Sequence, residues 1–112
     1  MVSKNLMAAS TKPLILAILA RGEIYGYQII QTVTQLSGGT LDWAEGMLYP
    51  VLHRLEKEGF IQSQWKFSDN GRKRKYYRLT DLGRAELEKE KQEWTSVHTL
   101  LSGLWEPSHA FD

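Results

Sequence analysis

Apolar residues recur along the chain with two different periods, and the switch between them divides it. Leu14, Ile15, Ile18 and Leu19 recur at helical spacing and stop at Gly22, which predicts a first helix. Pro13 stands one residue inside it, where a first-turn proline is tolerated, with Ser10 or Thr11 as its cap. Residues 3–11 are then either a separate short helix or a kinked extension. A second helix is expected from Tyr25 or Gly26, with Ile29, Ile30, Val33 and Leu36 on one face and Ser37-Gly38-Gly39 as its break. Asp42, followed three residues later by Glu45, resembles a capping box. The third helix it would open runs to about Glu58, turns Leu48, Leu52 and Leu55 inward, and ends at Gly59. Pro50 lies inside this helix and should weaken or bend it near Gly46, but the apolar period continues past the proline.

The period then changes to two. From Phe60 to Phe67 the chain alternates, with Ile61, Ser63, Trp65 and Phe67 on one face. Ser68-Asp69-Asn70-Gly71 carries the Asn-Gly turn signal. Alternation resumes from Arg72 to Thr80, with Lys73, Lys75, Tyr77 and Leu79 on one side and Arg72, Arg74, Tyr76 and Arg78 on the other. Thr80 or Asp81 caps a final helix over roughly 81–103. Helix, helix, short turn, helix, hairpin and long helix make a mainly α chain with a small β-hairpin (α+β). This is the order of a winged helix-turn-helix followed by a C-terminal helix. The divisions expected are 1–80 for the winged domain, 81–105 for the last helix and 106–112 for a flexible tail.

Charge sharpens this picture. The chain of 112 residues has a formal net charge of +1, yet residues 1–52 balance, residues 53–80 carry +5 and residues 81–112 carry −4. A local basic segment can follow phosphates even when the whole protein is nearly neutral. With no cysteine there is neither a disulfide nor a thiolate metal site. No secretory signal pattern and no membrane-length apolar run is seen, so a cytoplasmic protein is expected. His53, His98 and His109 lack metal-ligand spacing, and no phosphate loop or nucleophile elbow occurs. Glu86, Glu88, Glu90 and Glu93 read as a solvated helix face. No catalytic residue, metal or cofactor is expected.

The candidate chemistry lies on the third helix and the wing. Glu45, Gly46, Tyr49, Pro50, His53 and Arg54 point away from the leucine stripe, and Lys57 follows them. Tyr49 and His53 can hydrogen-bond phosphates or base edges, and Arg54 and Lys57 can bind phosphate. The same residues are also compatible with an ordinary half-exposed helix. Arg72-Lys73-Arg74-Lys75 follows the hairpin turn, where four like charges repel one another; a phosphate backbone would relieve the repulsion and release counterions. A solvated run kept for solubility is the plainer alternative. Tyr25 and Lys66 complete the candidate DNA-binding set.

On the last helix Leu87, Glu90, Trp94, Val97, Leu101 and Leu104 are spaced 3-4-3-4-3, a heptad seam interrupted by one carboxylate. Leu82, Leu100 and Trp105 add apolar surface. The seam can pack on its own domain, but it is longer than a three-helix core can cover, so a second copy is the expected partner, with Leu87, Trp94, Val97, Leu101 and Leu104 at the contact. A two-fold dimer presents two recognition helices and therefore a palindromic site. Trp94 is either interface core or one half of an indole pair around a flat aromatic ligand; Leu6, Pro13, Val97 and His98 are the other candidates for lining such a pocket.

Three runs carry a family resemblance: Ile24-Tyr25-Gly26-Tyr27-Gln28-Ile29, the run 48–61 (LYPVLHRLEKEGFI) and the run 71–83 (GRKRKYYRLTDLG). Together they resemble the PadR-like transcriptional regulators over about residues 12–105, in the short form with a single C-terminal helix. The resemblance implies a homodimeric repressor of genes for phenolic-acid detoxification or multidrug export. It implies dimerisation through the last helix with help from the first. In some short members a central cavity at the dimer interface accepts flat aromatic compounds beside a tryptophan at the place of Trp94. Trp43 and Met47 depart from the small polar residues common around the recognition run, so base preference does not carry over. The function expected is thus a ligand-responsive, sequence-specific regulator of double-stranded DNA. The alternative is a winged-helix module that binds an acidic protein without any effector.

Overall fold

The computed structural model describes residues 2–106. The elements, in chain order, are α1 (Lys4–Leu19), β1 (Ile24–Tyr25), α2 (Gly26–Leu36), α3 (Glu45–Lys57), β2 (Ile61–Phe67), β3 (Lys73–Leu79) and α4 (Asp81–Trp105). The fold is α+β: four helices and one antiparallel sheet of strand order β1-β3-β2. His109 and most of the expected tail lie outside the described residues.

The core forms where α1, α2, α3 and the sheet base converge. Ile15 and Leu16 from α1, Ile29 from α2, Leu48, Leu52 and Leu55 from α3, and Ile61 from β2 are all essentially inaccessible. Burying each such side chain contributes about 1.5–3 kcal/mol, so the leucine stripe of α3 is what fixes its opposite face outward. Tyr77 and Leu79 from β3 and Leu87 from α4 close the cluster.

Four expectations are corrected. α1 is one continuous helix from Lys4, so residues 4–11 extend it rather than form a separate short helix, and its start is not near Pro13; Ser3 caps it by accepting from the Leu6 amide at 3.2 Å. Ser10 and Thr11 are helical, and their hydroxyls donate back to the Met7 carbonyl at 3.0 and 2.7 Å. Pro13 thus lies inside the helix, where it donates no amide bond to the preceding turn. The hairpin is part of a three-stranded sheet, since β1 pairs Ile24 with Tyr77 and Tyr25 with Tyr76. Asp42 does not cap α3: Ala44 holds the N-cap position without a side-chain bond. Trp43 is 2% exposed, so the chain has to insert that indole into the core before the helix can begin. Leu36, expected on the inner face of α2, is 65% exposed.

The end of α3 follows the sequence reading. Gly59, at φ +86°, takes the left-handed position that favours glycine. The Phe60 amide then donates to the Leu55 carbonyl and the Gly59 amide to that of Glu56, both at 3.0 Å, a Schellman closure. This turn aims the chain from α3 straight into β2. Ile61 pairs with Leu79 and Phe67 with Lys73 at the two ends of the β2–β3 ladder, so the face assignments read from alternation hold. Thr80 caps α4, accepting from the Gly83 amide at 3.0 Å and donating to the Gly59 carbonyl at 2.6 Å.

Candidate nucleic-acid interface

At 3.6 residues per turn, Glu45, Tyr49, His53, Gly46, Lys57, Pro50 and Arg54 fall within one half of the α3 cylinder. All seven are exposed. The buried leucines occupy the other half. Trp43 and Met47, whose bulk had suggested an altered reading surface, are turned inward; Trp43 is core and Met47 packs against it. The Trp43 indole N–H has no partner there. Arg54 is paired only loosely with Glu58, at 3.8 Å on the same exposed face.

The wing does not present its cations equally. Lys66 is paired with Glu23 and lies 5.1 Å from the Tyr76 ring. Lys75 lies 3.9 Å from Glu56 of α3 and 5.7 Å from the Tyr77 ring. Arg78 donates to Gln62 at 2.9 Å. The Arg74 guanidinium stacks 4.2 Å from the Tyr25 ring centroid, and Tyr25 meets Tyr76 edge-on at 5.6 Å. Its Nε is buried without a partner. Among the described residues, Arg72 and Lys73 carry no carboxylate partner, and both are exposed at the hairpin tip. Sequence reading found the charge but could not see these long-range pairings.

Tyr25, Tyr49, Arg74 and Lys75, all candidates from the sequence, meet around one cleft of about 390 Å³, with Trp65 and Tyr77 on its walls. Gly26 lets the Tyr49 ring approach: a β-carbon there would lie 2.8 Å from the phenolic oxygen. Partial burial raises the Tyr49 hydroxyl above its ordinary pKa and the neighbouring Glu45 adds to this, whereas Arg74 opposes it. The phenol therefore stays protonated, a donor suited to a phosphate oxygen. Burial with the Glu56 carboxylate nearby pushes Tyr77 up to about 12.

A second feature separates α1 from α4. Leu6, Pro13 and Trp94 line an apolar groove of about 540 Å³. Val97 and His98, also expected there, lie further along α4 and are not among its lining residues; His98 instead faces Ser102 at 3.4 Å. Glu90 ties the groove together. One of its oxygens accepts from the Trp94 indole at 3.2 Å and the other lies 3.6 Å from Lys12. Lys12 also reaches Glu86 at 2.5 Å and caps the Phe60 ring at 5.1 Å. Burial opposes the Lys12 charge, but the bond and attraction to Glu86 outweigh it and raise the ammonium pKa; that same bond, more than burial, holds Glu86 below its usual value. Nothing in the sequence announced this network. The heptad seam is thereby divided: Leu87 belongs to the chain's own core, whereas Val97, Leu101 and Leu104 are 53, 37 and 59% exposed.

Comparison with known proteins resolves what class of molecule this is. The model of the transcriptional regulator PadR-like family matches residues 15–89. The chain belongs to that family. A transcriptional regulator of Mycobacterium tuberculosis, Rv3488, is 35% identical over 89 residues, covering 80% of this chain and 79% of that one. The negative transcriptional regulator PadR of Bacillus subtilis is 34% identical over 73 residues, covering 65% of this chain and 40% of the longer relative. A crystal structure of a PadR-like transcriptional regulator from Bacillus cereus superposes with a TM-score of 0.83 at 33% identity, covering 94% of this chain and 100% of that chain.

PadR-like proteins are DNA-binding transcriptional regulators, not enzymes, and the winged helix described above is their fold. The run 48–61 is α3 with its Schellman turn, and the run 71–83 is β3 with the Thr80 cap. Among the described residues no cluster of His, Asp or Glu is arranged to hold a metal ion. No described helix is long and apolar enough to cross a membrane.

Proposed function

We propose that this PadR-like chain is a homodimeric repressor that binds a palindromic duplex through α3 and the wing, and that it responds to a planar aromatic effector held between α1 and α4. One observation carries the DNA contact: Tyr49, from the exposed arc of α3, meets Trp65, Arg74 and Lys75 of the wing around one cleft, and Arg72 and Lys73 stand exposed next to these in the chain. Tyr49, His53 and Arg54 would face the major groove while Arg72 and Lys73 follow the neighbouring phosphates. Repression is supported by the Bacillus subtilis relative, whose name describes a negative regulator.

The dimer is supported by α4. At 25 residues it is about 37 Å long, yet only Gly83 and Leu87 are buried. Val97, Leu100, Leu101, Leu104 and Trp105 leave an apolar surface along its second half, of the kind that marks an interface. Pairing there would set the Trp94 grooves of two chains near each other, and an effector bound between them would favour one spacing of the recognition helices.

Fluorescence anisotropy with a labelled random duplex tests the contact. The chain should bind with an affinity that falls steeply with salt, and the double change Arg72→Ala and Lys73→Ala should reduce the slope by about two. An unchanged slope would remove the wing from the interface. No affinity for duplex at low salt would leave the protein-binding module as the reading.

A further inference from the structure

The wing carries two large aromatic residues that lie outside the core. Trp65 is 59% and Phe67 74% exposed. Both lie on the β2 face that begins with buried Ile61, so they extend the core-facing side of the hairpin past the end of the core. The polar ties of that face to α3 are at Ser63, which donates to Glu56, and Lys75, which pairs with it, while Trp65 shares the cleft of Tyr49. Phe67 is four residues beyond Ser63, about 13 Å further along the strand. Its cross-strand neighbour is Lys73, and that of Trp65 is Lys75. The Lys73 ammonium lies 5.8 Å from the Trp65 ring. Two rings and two cations thus share one face of the wing, and Trp65 borders the same cleft as Tyr49 of α3.

We infer that Trp65 and Phe67 form an apolar wedge with which the wing enters the minor groove of the duplex, beside the major groove occupied by α3. This rests on the DNA reading above and adds a mode of engagement to it. Charge complementarity selects the occupant, because rings beside the exposed, unpaired Lys73 and Arg72 favour a polyanion with flat apolar faces between its charges. A minor groove about 6 Å wide admits side chains from a hairpin tip but no helix. Apolar residues that enter it part the stack at a base step and kink the duplex. The wedge would therefore favour sites with an easily unstacked pyrimidine–purine step under the wing, giving sequence preference without a hydrogen bond to a base.

The test uses the whole chain and two duplexes, one with TpA steps flanking the site of α3 contact and one with A-tracts there, each carrying 2-aminopurine at the flank. Phe67→Ala and Trp65→Ala should fold as the parent does, melting within about 3 °C of it, since both positions are exposed. Each should weaken binding to the TpA duplex about tenfold, leave the salt slope unchanged, and abolish the rise in 2-aminopurine emission that the parent produces. Parent-like affinity and emission in both variants would overturn the wedge while leaving the DNA reading intact. No binding by the parent would remove both. A loss of oligomer mass in the variants, measured by sedimentation without DNA, would reassign the rings to a contact between copies and overturn the wedge.

Discussion

Gly83 joins α4 to the rest of the molecule, and a single methyl group there should show how tightly. A β-carbon at this position would lie 2.0 Å from the Phe60 carbonyl oxygen and 3.0 Å from a Leu79 methyl carbon. Relieving the first contact to an ordinary 3.4 Å means moving α4 about 1.4 Å away from the start of β2. The Phe60 oxygen also accepts from the Thr80 amide at 3.1 Å, and Thr80 holds the Gly59 carbonyl and the Gly83 amide, so the movement strains three hydrogen bonds. Overpacking costs about 1–3 kcal/mol, and the weakened bonds about 1 kcal/mol each if lost. Better helix propensity returns up to about 1 kcal/mol. Gly83→Ala should therefore destabilise by about 2–4 kcal/mol and lower Tm by about 10–20 °C. Thermal melts followed by circular dichroism, at one protein concentration because association shifts Tm, read this directly. Gly46→Ala, where nothing lies within 4 Å, is the control and should melt at or above the parent. A Gly83→Ala protein melting within about 2 °C of the parent would refute the seating of α4 described here.

Gly26→Ala should act on function more than on stability. The clash is with the movable end of the Tyr49 side chain, so Tm should change by only a few degrees while duplex affinity falls about tenfold; equal affinity would mean that Tyr49 is not placed by Gly26. Lys12→Met should cost stability chiefly between pH 4.5 and 10.5. Glu86, held below its usual pKa, loses its contribution as pH falls below 4.5, and Lys12, held above its own, loses its contribution as pH rises past 10.5. A parent–variant difference constant across denaturant titrations from pH 3 to 11 would contradict the pairing. In an alkaline ultraviolet titration one tyrosine should ionise near 12, and stability should fall as pH climbs from 10 towards that value because the fold holds Tyr77 protonated. Tyr77→Phe should remove that step, and its persistence would assign it elsewhere.

Elements with a strong period were legible in the sequence and those set by distant contacts were not. The leucine stripe of α3, the Gly59 stop and the Asn-Gly hairpin each carry a local physical signal, and each is found where it was read. The two residues of β1 carry no alternation; only their pairing with Tyr76 and Tyr77 makes them a strand. Asp42 had the spacing of a capping residue, but burial of Trp43 decides where α3 starts. Likewise the basic segment was plain as composition. Which of its charges remain available depends on partners such as Glu23, 43 residues away from Lys66 in the chain. The Trp94–Glu90–Lys12 link spans 82 residues and has no local trace. Trp65 and Phe67 were placed on the right face, yet the alternation that placed them gives no hint that the core ends before they begin.

Native mass spectrometry of the chain with a palindromic duplex of about 30 base pairs tests the central claim most directly, because half-sites one or two helical turns apart should take one dimer. Two chains per duplex are expected. In the Leu101→Glu variant, whose new carboxylate is tolerated in a lone chain because Leu101 is already 37% exposed, the free protein should be monomeric and the two-chain complex should be lost. A parent that is monomeric at micromolar concentration and occupies the duplex as a single chain would contradict the account.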